Sequence, residues 1–135
     1  MSRSHDLYPR PENIHWGYHD ASLPPVLRID SGDTVNLTAW PAADARSLPP
    51  DRSLVQADHL KAIETCVQGQ ATHMLTGPVF VEGARPGDVL QVDILDIRLN
   101  ERWGYTAIRP LRGTLPNEFD RFAIMHALIN AEAMT

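Results

Sequence analysis

Between His73 and Leu99 the chain alternates turn punctuation with β-branched runs. His73-Met-Leu-Thr-Gly-Pro78 leads into Pro78-Val-Phe-Val81, Gly83-Ala-Arg-Pro-Gly-Asp88 follows, and an apolar-rich run extends from Val89 to Leu99. Proline presets φ near its turn value and glycine tolerates positive φ, so Gly-Pro and Pro-Gly pairs mark turns. The block therefore reads as a strand, a tight turn and a second strand, with a titratable histidine at the entrance. Eleven prolines and eight glycines among 135 residues extend the argument to the whole chain: short strands and many turns are favoured over long helices.

The same logic organises the rest. Residues 1–25 are polar, aromatic and proline-rich, and are expected to lie extended over a surface. Val26–Asp30 reads as a strand, Ser31-Gly-Asp33 as a turn, and Thr34–Trp40 as a half-buried strand with Val35, Leu37 and Ala39 on one face. Residues 41–52 read as a loop. Residues 53–67 form the helix candidate, with Leu60, Ile63 and Val67 at helical spacing, Ser53 as cap and Gly69 as stop. In the run from Val89 to Leu99 the apolar residues are Leu90, Val92 and Ile94, then Leu95, Ile97 and Leu99, with a parity switch between Ile94 and Leu95. Either both faces are buried there or a bulge sits at the switch. Leu90, Val92, Ile94, Val35 and Leu37 are the expected core. The resulting fold class is mainly β: antiparallel, sandwich-like sheets with one short helix.

Two internal echoes stand out. Ser31-Gly-Asp-Thr-Val-Asn-Leu37 and Pro86-Gly-Asp-Val-Leu-Gln-Val92 share a way of launching a strand from a glycine turn, with Asp33 and Asp88 bracing the turns. Trp16-Gly-Tyr18 and Trp103-Gly-Tyr105 place two aromatics around a glycine, fitted to packing or to lining a pocket.

Charge narrows the function classes. Twelve basic and 17 acidic side chains give a net charge of -5 with no basic tract, which argues against a nucleic-acid partner. One cysteine, Cys66, cannot form an internal disulfide. The N-terminal residues lack the apolar core of a signal peptide, and no apolar run approaches the ~20 residues of a membrane helix. A soluble, cytoplasmic protein without a membrane partner is the expectation.

Taken in order, His15-Trp-Gly-Tyr18, Ser31-Gly-Asp-Thr-Val35, His73-Met-Leu-Thr-Gly-Pro78, Gly83-Ala-Arg-Pro-Gly-Asp88, Trp103-Gly-Tyr105 and Ile108-Arg-Pro-Leu-Arg-Gly-Thr-Leu-Pro116 resemble the N-terminal half of the acetamidase/formamidase family. Several separated blocks in one order are far more specific than any one alone. The resemblance runs from about His15 to about Phe119 and implies hydrolysis of small linear amides to a carboxylate and ammonia. Members of that family continue into an acidic, histidine- and glycine-rich block that this sequence does not contain. Residues 1–135 are thus expected to form the N-terminal portion of such a domain, active weakly or not at all alone, with a complementing C-terminal half or a homo-oligomer as partner.

Amide hydrolysis needs an activated water or nucleophile, a polarised carbonyl and a proton for the leaving ammonia. A divalent metal, zinc being one option, supplies the first two, and histidines and carboxylates are its natural ligands. His73 is the leading candidate ligand because it precedes a strand and a turn that present it to a cleft. His15, beside Trp16, is second. Glu82, between strand and turn, is the candidate acid or base. The bland alternatives are a loop-bonded histidine, a packed histidine and a solvated carboxylate. His5, His59 and His126 read as surface or helix-face residues. Cys66 reads as a small buried hydrophobe, and Gly-x-Ser-x-Gly and Ser-x-x-Lys signatures are absent.

Overall fold

The computed structural model describes residues 2–133. Eight short strands and one α-helix follow in order: β1 (Ser4–Leu7), β2 (Ile14–Trp16), β3 (Leu27–Ile29), β4 (Thr34–Leu37), α1 (Ala57–Thr65), β5 (Met74–Thr76), β6 (Val79–Val81), β7 (Trp103–Ile108) and β8 (Ala123–Leu128). The mainly β expectation with one short helix holds. Residues 1–25 do more than lie extended, because they contain β1, a 3-10 turn at Pro11–Asn13 and β2.

The described strands form four two-stranded ribbons. Antiparallel pairing holds for β2–β5 and β7–β8, whereas β1–β4 and β3–β6 run parallel, Ser4 opposite Thr34 and Leu27 opposite Val79. Parallel partners need a long crossover, and here each crossover carries other elements of the fold. The β1–β4 ribbon is tied at its end by Asp33, whose carboxylate accepts the Arg3 and Asp30 backbone N–H groups and lies 2.9 Å from His5 Nε2. Those bonds, the Arg3 backbone first, hold its carboxyl well below the usual carboxylate range. Asp88 likewise accepts Arg85 N at 2.8 Å, so both aspartates brace turns as expected.

The helix is shorter than residues 53–67. Ser53 does not cap it; it sits in a 3-10 turn at Arg52–Leu54, where Asp51 accepts its N–H and hydroxyl, and Gln56 holds the N-cap position of α1. The helix ends at Thr65, whose hydroxyl bonds back to Lys61 O at 2.7 Å. Its burial comes from both sides. Trp16, Trp40, Ala62 and Met74 make one apolar cluster, Ala43, Leu48, Val55 and Trp103 the other, and Ile63 packs against both. The segment read as a loop, residues 41–52, is irregular yet supplies Ala43 and Leu48 to the core. Both echo tryptophans are core residues, Trp16 3% and Trp103 2% exposed. Between the first echo's aromatics, Gly17 has φ +79°, and a Cβ there would stand 2.2 Å from Ala71 O. Only glycine fits this approach.

The expected core strand is the main correction. Among the described residues Val89–Leu99 has no strand partner, and Leu90, Val92 and Ile94 are 73%, 71% and 75% exposed. Leu37 is also exposed and Val35 only half-buried. The apolar alternation predicts a strand here, but the segment forms none, because nothing within the described residues lies against it. No bulge forms at the parity switch, because there is no ladder to bulge. Among the described residues, no helix is long and apolar enough to cross a membrane.

Candidate active site

Ribbon β2–β5 gives the two candidate histidines a common address. His15 stands opposite Leu75 and Trp16 opposite Met74, and Gly17 N donates to His73 O at 2.8 Å just beyond β5. Residues opposite one another, and residues two apart, share a face. Ile14, Trp16, Met74 and Thr76 therefore face inward, where Trp16 and Met74 are buried and Thr76 Oγ1 bonds to Thr38 O at 3.0 Å. By the same parity His15 and His73 fall on the outer face, diagonal to one another across the ribbon. The Trp16 indole fastens the ribbon to the loop before His73 by donating to Thr72 O at 3.1 Å.

The two imidazoles differ in setting. His15 is half-buried, its ring tilted against Tyr18 with centroids 5.6 Å apart, and its Nδ1 is buried without a hydrogen-bond partner. His73 is exposed and fixed through its backbone. Asp20 lies near His15; bonds from the Ser22 hydroxyl and N–H lower its carboxyl, with a small contribution from the His15 charge.

Glu82 is not part of this face. The chain turns at Gly77-Pro78, and β6 joins β3 in a different ribbon. Glu82 ends up beside Arg28, with Nη1 to Oε1 at 3.1 Å, while its backbone N–H bonds to Ile29 O. Among the described residues, no group of three or more His, Cys, Asp or Glu side chains surrounds a common point. Two imidazoles on one face fall short of the three protein ligands that a hydrolytic metal takes.

A second polar cluster went unread in the sequence. Buried Ser47 donates its hydroxyl to Asp44 Oδ1 at 2.9 Å and accepts Arg109 Nη2 at 3.2 Å, and His126 Nε2 donates to Ser47 O at 3.0 Å. Burial opposes the Asp44 charge, but bonds from Arg46 and Ser47 outweigh it and hold the carboxyl below its ordinary range. His126 is thus a bridge between β8 and the 41–52 loop. Its ring meets the Ser47 carbonyl, not the hydroxyl, so no serine–histidine nucleophile is assembled. Arg109 lay in a quoted sequence block, which was its only signal; Ser47 in a proline-rich loop had none. His59, read as a helix-face residue, is fully buried and stacked on Trp40 with centroids 5.0 Å apart and planes 8° apart. Cys66, read as a small buried hydrophobe, is half-buried at the C-cap of α1, packed on the Trp16 cluster with its thiol 3.5 Å from Pro11 O.

The sequence itself matches a known family: the acetamidase/formamidase family profile covers residues 1–133. The chain belongs to the acetamidase/formamidase family. Among curated relatives, a putative formamidase of Schizosaccharomyces pombe is 33% identical over 100 residues, covering 71% of this chain and 22% of the relative. An acetamidase of Mycolicibacterium smegmatis is 53% identical over 45 residues, 27% of this chain and 11% of the relative. A formamidase of Methylophilus methylotrophus is 47% identical over 38 residues, 27% of this chain and 9% of the relative. The matched stretches span less than a quarter of these relatives' lengths. No solved structure matches the chain.

Proposed function

We propose that this chain takes part in hydrolysing small linear amides, such as formamide or acetamide, to a carboxylate and ammonia in the cytoplasm. The observation that carries the reading is the family match over residues 1–133, reinforced by relatives named formamidase and acetamidase. His15 and His73 are the side chains we assign to the reaction. Neutral imidazoles on one face can orient a water, take its proton and return a proton to the leaving nitrogen. A divalent metal remains part of the proposal only with donors beyond these two histidines, since the described residues do not complete its ligand set. Glu82, held by Arg28, is a weaker proposal as the acid or base.

The test joins the chain to the part of the Schizosaccharomyces pombe relative that lies outside its matched stretch and measures ammonia release from formamide and acetamide. Turnover is expected, and His73→Ala is expected to remove at least about 100-fold of it, the usual contribution of a general acid–base group. Unchanged turnover in His73→Ala, or none from either amide in the folded joined protein, would sink the assignment.

A further inference from the structure

The run from Val89 to Leu99 carries apolar side chains that none of the described residues covers, and their arrangement says what kind of cover they need. Gln91 Nε2 bonds to Asp93 Oδ1 at 3.0 Å and Arg98 Nε to Asp96 Oδ2 at 2.6 Å. Both bonds join residues two apart, the same-side spacing of an extended chain. One side therefore reads Leu90, Val92, Ile94, then Asp96 and Arg98. The other reads Gln91, Asp93, then Leu95, Ile97 and Leu99. The apolar surface changes side half-way, so the segment needs one layer over its first half and a second layer on the opposite side of its second half. A strand added alongside by a second copy would fill one edge and leave both layers missing.

Area points the same way. A compact chain of 15.1 kDa exposes about 7,100 Å². This chain exposes 10242 Å², an excess of about 3,100 Å². Fourteen of the twenty exposed large hydrophobic side chains lie at or after Val89, so the excess sits on one part of the sequence, beyond β6. An excess of this size is that of an obligate interface with a large partner. The relatives carry such a partner: 78% or more of each lies outside the stretch matched here, as the 22%, 11% and 9% coverages require.

We propose that residues 89–99 are an interior, layer-crossing strand of the family fold, and that they, with the exposed Ile108 and Met125 on one face of β7–β8, dock onto the further family polypeptide that the relatives possess, whether it is supplied in the same chain or as a separate one. The inference rests on family membership and deepens the proposed function by naming the surface that completes the protein. It does not depend on amide turnover, because its readout is backbone exchange.

Hydrogen exchange at amides 89–99 tests it, in the 135-residue protein and in the same protein joined by a Gly/Ser linker to the unmatched part of the Schizosaccharomyces pombe relative. The linker keeps weak affinity from limiting the result. Exchange near unfolded rates is expected in the first, slowed by about 100-fold or more in the second. Pairing Ile94→Asp with Ile97→Asp should abolish that slowing, while Val67→Asp, at another exposed apolar site, should not. Fast exchange at 89–99 in the joined protein overturns the proposal. So does slow exchange in the 135-residue protein that deepens with concentration, which would make a second copy the occupant. If the paired substitution unfolds the 135-residue protein by circular dichroism, the segment is packed within it and the proposal fails.

Discussion

His59 is the side chain whose chemistry is most at odds with its surroundings. It is fully buried, both ring nitrogens lack partners, and burial pushes its pKa down to about 4 from a normal 6.5. The folded chain therefore keeps a neutral imidazole where the unfolded chain already binds a proton. Stability is fully retained above pH 6.5 and falls as the pH drops from there towards 4, by up to about 3 kcal/mol. Urea unfolding of the wild type and of His59→Phe at pH 7 and pH 4.5 checks this: the phenylalanine preserves the stack on Trp40 and should flatten the difference. An equal loss in both proteins would assign the acid sensitivity elsewhere. Gly17 gives the opposite kind of prediction. Gly17→Ala combines a left-handed backbone with a 2.2 Å clash against Ala71 O and should cost about 2 kcal/mol or more, read as a lowered urea midpoint. The Trp-Gly-Tyr pattern marks the aromatics, and the need for glycine between them comes only from the approach of Ala71 O. The burial of His59 is not legible in the sequence either, because helical spacing alone does not reveal that the neighbouring loop and Trp40 close over that face.

At the scale of elements, alternation located strands but could not say what they meet. Leu27–Ile29, Thr34–Leu37 and Val79–Val81 fall within runs read as strands, the second of them from period two. Their parallel partners were illegible, since register is set by contacts many residues away. Alternation also placed Ile94 in the core, where a buried aspartate would prevent folding. Ile94 is exposed, so Ile94→Asp should now change the stability of this chain by no more than about 0.5 kcal/mol. Met74→Ala, on the inward face of β5, should cost about 2–5 kcal/mol. The two midpoints in one urea titration series distinguish a strand packed within this chain from one whose cover lies elsewhere. The two candidate histidines follow the same division. Each is singled out in the sequence by its place beside a turn or an aromatic pair, and their common face becomes visible only with the β2–β5 register. Glu82 shows the limit of proximity in sequence: nine residues from His73, it belongs to another ribbon and to Arg28.

The whole molecule sets the last expectation, which concerns activity without added polypeptide. Electrostatic stabilisation of a developing oxyanion works where water is excluded and donors are fixed in place. Here His73 is exposed, His15 is half-buried beside Tyr18, and no third potential ligand joins the two histidines among the described residues. Solvent at His73 screens its imidazole and competes with the amide for its hydrogen bonds. The 135-residue protein should therefore release ammonia from formamide or acetamide at no more than about 1% of the rate of the joined protein, a gap of about 3 kcal/mol in the barrier. The joined protein should show raised turnover and slowed exchange at residues 89–99 together. Ammonia release by the 135-residue protein at a comparable rate, abolished by a chelator, would mean that the described residues already enclose a complete site and that the outer face of β2–β5 is not where the reaction happens.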